Sequence, residues 1–363
     1  MWHRPLIIMA GGTGGHVFPA LAVADYLRAQ GVPVVWLGSR LGLESRVVPQ
    51  HQFRLLTVDS AALRGSGWFG WLLAPVRILV SLVQAMRWLL QVRPGAVLGM
   101  GGFASGAGGV AAWLLRIPLL IHEQNALAGL TNRVLYPLAR VVMQGFPATF
   151  PAQPKVRSVG NPVRAEIAGL PAPDQRIGGR RADILHILVL GGSQGARTLN
   201  SALPAALDFL AAGTAVQILH QCGPAHQAAT ESAYEHCVHR QNVRVVPFID
   251  DMAGAYAHAD LVLCRAGALT IAELCAVGIA SVLVPYPHAA DNHQTANARH
   301  LAGQGAAVLL PEADLNPERL AGLIRELHAD RERLMAMAMA ARRLSRPDAV
   351  RDVGHICMEA LRD

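Results

Sequence analysis

Ten short apolar runs punctuate this chain, each leading toward a stretch of helical character, and this alternation restricts the fold more than any other feature. The first half supplies "PLIIMA", "VPVVWLG", "AVLGMG", "IPLLIHE" and "RVVMQG"; the second supplies "HILVLGG", "VQILHQCG", "VRVVPFI", "DLVLCRAG" and "SVLVPYP". Continuous apolar runs of strand length belong to strands buried on both faces. With helices between them, they form parallel sheets covered on either side. At 363 residues the chain exceeds one typical core, so two domains are expected. The segment "FPAQPKVRSVGNPVRAEIAGLPAPDQRIGGRRAD" is rich in Pro, Gly and Arg and holds the boundary. The reading is α/β: two doubly wound, Rossmann-like domains at 1–162 and 163–340, with 341–363 a helix packing back on the first.

Each expected domain opens with the same device, an apolar run, a glycine-rich turn and an amphipathic stretch. The copies are "IIMAGGTGGHVFPALAVADYL" (7–27) and "HILVLGGSQGARTLNSAL" (186–203); "GMGGFASGAGG" (99–109) has the same character. Ligands of doubly wound sheets bind beyond the carboxyl ends of the strands. Glycines there admit a phosphate to the backbone, and a helix N-terminus favours its charge. One such loop is equally well an ordinary tight turn; three at strand ends favour phosphate. The common nucleotide motifs fit poorly. Gly12 and Gly14 suit a dinucleotide fingerprint, but the third glycine position is Val17, and the second strand ends "VVWLGSR" with no carboxylate at its tip. A P-loop needs Gly-Lys-Ser/Thr, and no Lys follows these glycines.

A net charge of +7 points to an anionic partner, while 5% aromatic content and the lack of a basic run interleaved with aromatics argue against nucleic acid. The cysteines, Cys222, Cys237, Cys264, Cys275 and Cys357, are odd in number and none stands two residues from another, so neither disulfides nor zinc is expected and a reducing compartment fits. Asp250 and Asp251 are adjacent, the wrong spacing for a D-x-D metal site, and neither metal nor cofactor is implied. "PLIIMA" is too short for the apolar core of a signal peptide. The uncharged stretch 94–115 carries seven glycines and reads as buried strand, loop and helix; 68–90 is broken by Pro75, Arg77 and Arg87. No membrane span is expected. Trp68, Phe69, Trp71, Leu72, Leu73, Ile78, Leu79 and Trp88, rimmed by Arg64, Arg77, Arg87 and Arg93, suit a patch on anionic lipid; periodicity alone suits a core helix with a charged outer face.

The second half also carries "CRAGALTIAELCAVGIASVLVPYPHAADNHQTANA". Thr270 and Glu273 have capping-box spacing. Alternatively, the helix start faces a diphosphate and the two oxygens of Glu273 accept both hydroxyls of a ribose. Asp291, Gln294 and Asn297, clustered after a strand, suit hydrogen bonds to a sugar.

Taken in order, "GGTGGHVFPALAVA", "GMGGFASG", "HEQNALAGLTN", "VGNPVR", "GGSQGARTLN", "FIDDM" and "PYPHAADNHQTANA" resemble the bacterial peptidoglycan glycosyltransferase family MurG over nearly the whole chain. The resemblance implies a GT-B fold, two Rossmann-like domains separated by a cleft, the first facing the acceptor and membrane and the second holding the donor. It implies an inverting hexosyltransferase that moves N-acetylglucosamine from UDP-N-acetylglucosamine to undecaprenyl-pyrophosphoryl-N-acetylmuramoyl-pentapeptide, lipid I, giving lipid II for the cell wall. Its place would be peripheral, on the cytoplasmic face of the bacterial inner membrane, with other cell-wall and division proteins as partners. Donor contacts carry over to Thr13, Gly14, Gly15, Asn125, Arg164, Ser193, Ile249 (through its backbone to uracil), Ala268, Leu269, Thr270, Ile271, Ala272, Glu273 and Gln294. Gly101, Gly102 and Phe103 form the loop for the acceptor and its pyrophosphate. Phe103 departs from the Tyr of enterobacterial members, so that hydroxyl is not required here, and Ala128 replaces a frequent Pro.

Inversion by single displacement needs a base for the acceptor's hydroxyl proton. His16, on the first glycine loop, is the candidate, with Glu123 and His122 on "IHEQN" as alternatives. Competing functions are a UDP-N-acetylglucosamine epimerase and a membrane-bound UDP-sugar sensor or scaffold. A dinucleotide-dependent oxidoreductase is disfavoured by the missing acid.

Overall fold

A computed structural model describes residues 2–59, 74–177, 183–192, 195–210 and 214–362. The chain divides into two compact units, Met1–Arg164 with Pro347–Asp363, and Ala165–Arg346. The first runs β1 (Leu6–Met9), α1 (Gly14–Ala29), β2 (Val34–Ser39), α2 (Glu44–Gln50), β3 (Arg54–Val58), α3 (Ala74–Val92), β4 (Ala96–Gly99), α4 (Phe103–Leu114), β5 (Leu119–Glu123), α5 (Leu130–Leu135), β6 (Val141–Gln144) and β7 (Val156–Ser158). Its strands form one sheet, parallel throughout, in the order β3-β2-β1-β4-β5-β6-β7. All four residues of β1 are 0% exposed, which only a sheet covered on both faces allows.

This strand order reverses between β1 and β4, where successive crossovers leave in opposite directions and a crevice opens. Met9 pairs with Gly99, so the loops that follow β1 and β4 leave the sheet side by side. Trp36, fully buried on β2, donates its indole N–H to the Ala10 carbonyl at 2.9 Å and anchors the end of β1.

The second unit begins with two short helices, α6 (Ala165–Ala168) and α7 (Pro173–Ile177). Then come β8 (Leu185–Leu190), α8 (Arg197–Leu207), β9 (Val216–Gln221), α9 (Gln227–Tyr234), β10 (Val243–Val246), α10 (Met252–His258) and β11 (Leu261–Cys264). After these follow α11 (Ala268–Val277), β12 (Ala280–Leu283), α12 (His293–Ala302), β13 (Ala307–Leu309), α13 (Pro317–Ala329) and α14 (Arg331–Arg343). The order β10-β9-β8-β11-β12-β13, again all parallel, repeats the first sheet's plan, with the reversal between β8 and β11.

The last helix, α15 (Ala349–Arg362), packs on α1. Val353, Ile356, Cys357 and Ala360 join the core that holds Val23 and Leu27. Gly354 is needed there, since a Cβ would stand 2.5 Å from the Tyr26 ring. Among the described residues, no helix is long and apolar enough to cross a membrane.

Candidate active site

The loop after β1 leaves the sheet through Gly12 (φ 90°), and Thr13 caps α1 in extended geometry without a side-chain bond to the helix. Thr13 is exposed, and Gly14, Gly15 and His16 are half-buried at the helix start. The loop after β4 lies directly against it. A Cβ on Gly102 would stand 2.5 Å from the Gly11 carbonyl oxygen, and one on Gly101 would stand 2.5 Å from Nδ1 of His16. Both glycines also have positive φ, so backbone conformation and space each require them. Ser105 ties the loops together, its hydroxyl lying 2.6 Å from the Met9 carbonyl and 2.7 Å from that of Gly101. Phe103, half-buried, opens α4.

His16 owes its orientation to Gln124, the residue just beyond β5. Gln124 is 1% exposed and donates from Nε2 to the Met100 carbonyl at 2.9 Å, which fixes which end of its amide faces His16. That end is Oε1, 3.1 Å from His16 Nδ1. A carbonyl oxygen only accepts, so Nδ1 is the donor of this pair. Nε2 has no partner among the described residues. When the ring is neutral, this geometry makes Nε2 the nitrogen able to accept a proton.

The alternatives have other employment. Glu123 is 2% exposed and accepts four hydrogen bonds: from Asn125 N at 3.0 Å and Nδ2 at 3.1 Å, Gly129 N at 3.1 Å and Asn132 Nδ2 at 2.8 Å. Both oxygens are occupied in folding the turn that leads to α5, which does not suit a base. His122 is fully buried, 2.9 Å from the Gly160 carbonyl through Nε2, and burial lowers its pKa to about 4. Asn125 therefore points its side chain at Glu123. Arg164, at the end of the first unit, places its guanidinium 5.8 Å from the Phe18 ring centroid.

One residue that supports this loop was missed in the sequence. The acid absent from the tip of β2 is present there after all: Glu44, at the start of α2, reaches back under the loop and is 0% exposed. Its Oε1 accepts from Ser39 N at 2.8 Å and Ser39 Oγ at 2.6 Å, and its Oε2 accepts from Gly12 N at 2.9 Å. Buried in this way it cannot reach a ribose, so the objection to a dinucleotide site stands on different grounds. The spacing "GSRLGLE" held the only signal, glycines clustered before an acid.

In the second unit, the loop after β8 turns through Gly192 (φ 81°) and Gly195 (φ 76°). Ser193 lies outside the described residues. A Cβ on Gly195 would be 2.0 Å from the Cys222 carbonyl oxygen. Asn200 donates to the same carbonyl at 2.9 Å, and its Oδ1 lies 3.0 Å from Nε2 of His220, whose Nδ1 lies 2.8 Å from the Tyr234 hydroxyl. Burial lowers the His220 pKa to about 4, so this chain is neutral. No motif announces it, because its members lie on three separate elements.

The other half of this crevice is α11. Its N-cap is Gly267, with no side-chain cap, so Thr270 is the third helical residue and the capping-box reading of Thr270 and Glu273 fails. The first-turn N–H groups of Ala268, Leu269 and Thr270 are left without intrahelical acceptors. Glu273 is 5% exposed and accepts from the Tyr256 hydroxyl at 3.0 Å through Oε2. Ile271 turns into the core and Ala272 is half-buried.

Gln294, half-buried on α12, accepts from Tyr286 N at 2.9 Å. Asn297 is 0% exposed and donates to the Ala266 carbonyl at 3.1 Å, a tie within the fold and not a sugar contact. Asp291 is exposed. Ile249 buries its side chain while its N–H and C=O make no hydrogen bond within the described residues. It also lines a cavity of about 760 Å³ with Phe248, Asp250, Arg244, Gln217 and His258. Among the described residues no group of three or more His, Cys, Asp or Glu is placed to hold a metal.

Residues 6–144 match the N-terminal domain of glycosyltransferase family 28, and residues 186–353 match its C-terminal domain. A protein of Nitrosococcus oceani is 53% identical over 354 residues, 98% of either chain; one of Alkalilimnicola ehrlichii is 53% identical over 358 residues, 99% of either. Both are named UDP-N-acetylglucosamine–N-acetylmuramyl-(pentapeptide) pyrophosphoryl-undecaprenol N-acetylglucosamine transferase. The crystal structure of Acinetobacter baumannii MurG is 42% identical, with a TM-score of 0.84 over 98% of this chain and 99% of that one. The calicheamicin glycosyltransferase CalG4, 18% identical at a TM-score of 0.68, shares the fold alone.

Proposed function

The chain belongs to glycosyltransferase family 28, has the GT-B pair of Rossmann-like sheets, and, from that premise, we propose that it transfers N-acetylglucosamine from UDP-N-acetylglucosamine to undecaprenyl-pyrophosphoryl-N-acetylmuramoyl-pentapeptide with inversion. The observation that carries the chemistry is the bare Nε2 of His16, its opposite nitrogen held protonated by Gln124. Nε2 takes the proton of the acceptor hydroxyl as that oxygen bonds to the anomeric carbon and the bond to the UDP phosphate oxygen breaks. The imidazolium so formed still donates from Nδ1 to Gln124. Gly101 lies beside this imidazole, and Gly101, Gly102 and Phe103 meet the acceptor and its pyrophosphate by family resemblance. Thr13, Gly14 and Gly15 line the same loop.

The second unit holds the donor. Ile249 offers its N–H and C=O, unbonded among the described residues, to the uracil edge, and Glu273 takes the ribose by family resemblance. The uncapped start of α11 stabilises charge gathering on the leaving UDP. Gln294, Arg164, Asn125 and Ser193 complete the donor contacts by family resemblance.

The lipid-linked acceptor calls for a membrane surface, and the first unit offers one. Val76, Ile78, Leu79, Val83 and Leu90 of α3 and Trp113 and Leu114 of α4 are exposed, with Arg77 and Arg87 on α3 and Arg93 just beyond it. Apolar side chains among arginines suit an anionic leaflet such as the inner face of the bacterial plasma membrane. The further patch residues Arg64, Trp68, Phe69, Trp71, Leu72 and Leu73 lie outside the described residues.

Incubation with labelled UDP-N-acetylglucosamine and a lipid I analogue in anionic vesicles tests both parts. Label should pass to the lipid, and the protein should float with those vesicles. Release of label as a free sugar, or as the 2-epimer still on UDP, would overturn the transferase reading.

A further inference from the structure

We propose that Glu44 is a positioning residue for the transfer: its buried carboxylate fixes the backbone of the first glycine loop and, with it, the imidazole of His16. The inference rests on the reading of His16 as the base. Glu44 is fully buried and has no cationic partner among the described residues, so its charge is compensated by hydrogen bonds alone, from Gly12 N, Ser39 N and Ser39 Oγ. Burying such a group is costly, and the surroundings are shaped to accept it. A Cβ on Gly11 would stand 2.3 Å from its Oε1, one on Gly38 2.6 Å from its Cγ, and one on Gly42 2.1 Å from its Oε2. Three glycines and a serine are committed to one side chain. Simple filling of space would need none of them, since an apolar residue would serve.

What the carboxylate holds explains the commitment. Gly12 sits at φ 90°, and its N–H bond to Glu44 is the only hydrogen bond that Gly11 or Gly12 makes within the described residues. The same two residues lead through Thr13 into the turn of α1 that carries His16. On its other side the loop meets Gly102, and the imidazole meets Gly101 and Gln124. Glu44 is therefore the inner clamp of the loop's middle, between the tie of Trp36 to Ala10 at one end and that of Gln124 to His16 at the other. It also takes the Gly12 amide out of reach of a phosphate.

Glu44→Gln keeps the size but places an N–H donor against either Gly12 N–H or Ser39. Hydrogen exchange of the 10–17 segment, read by mass spectrometry, is expected to quicken on the order of 10-fold, and kcat to fall on the order of 10- to 100-fold. UDP affinity and the midpoint of cooperative melting should stay within about two-fold and a few degrees of the parent. Glu44→Asp, which keeps the charge with a shorter reach, should fall between. In the double variant with His16→Ala, Glu44→Gln should add no further loss, because both act on one group. Unchanged exchange, an unchanged kcat, additive losses in the double variant, or UDP binding and cooperative melting lost together would each overturn the proposal. Near-normal turnover by His16→Ala alone would instead remove the base assignment; the exchange measurement would still report whether Glu44 clamps the loop.

Discussion

The two glycine loops begin alike, each after the first strand of its sheet and each opposite the strand where the order reverses, yet they are backed by different chemistry. Behind the loop of residues 10–16 lies a carboxylate, Glu44, and beside it an imidazole with one nitrogen free. Behind the loop of residues 191–196 lie a carbonyl and a neutral chain of Asn200, His220 and Tyr234. Glu312, which accepts from Thr198 at the start of α8, is paired with Arg265. A fixed negative charge beneath a loop opposes a bound diphosphate, whereas neutral dipoles leave the helix start free to attract one. Similar backbone turns thus acquire different work from residues that lie well away in the chain.

The comparison breaks first at His16. His16→Ala should lower kcat on the order of 100- to 10,000-fold while UDP binding to the second unit stays within about two-fold, measured by initial rates and calorimetry. Equal losses in both would mean that the loops do not divide the work.

Glycine substitution separates the loops by stability. Gly12→Ala meets open space and should cost about 1–2 kcal/mol in backbone strain alone. Gly195→Ala adds a collision with the Cys222 carbonyl oxygen and should cost about 3 kcal/mol or more, with weaker UDP binding. Urea titration of both variants gives the order, and the reverse order would show that the second loop can yield.

A pH-dependent effect concerns the one histidine in each unit whose pKa burial lowers to about 4, His122 and His220. Between pH 6.5 and about 4 the unfolded chain binds protons that the folded chain refuses, so stability falls as pH falls through that window. Each should remove about 2 kcal/mol between pH 7 and pH 5. His220→Gln should flatten the pH dependence of unfolding of the second unit and leave that of the first unchanged.

Strands and glycine turns were legible because a parallel strand buried on both faces must be apolar at successive positions, and "LIIM" and "LVLC" satisfy that within four residues. The position of His16 at the start of the helix was legible for a similar reason, since it closes the glycine run. Glu44 was not, because its partner Gly12 lies 32 positions earlier and the acid belongs to the helix after β2, not to the strand. Asn297 misled in the opposite direction: a polar letter in a promising motif turned out to be a buried tie to Ala266, and the capping-box spacing of Thr270 and Glu273 belongs to a helix that Gly267 caps.

The order of apolar runs and glycine turns, read as sequence, determined that this protein is a pair of doubly wound sheets with glycine turns at the strand ends, because period and backbone freedom are local properties. Only tertiary structure decided which nitrogen of His16 is bare, that Glu123 is saturated, and that a carboxylate clamps one loop and not the other. Those outcomes depend on hydrogen-bond partners brought together from distant parts of the chain, and a donor or acceptor is spent or free only when its neighbours in space are known.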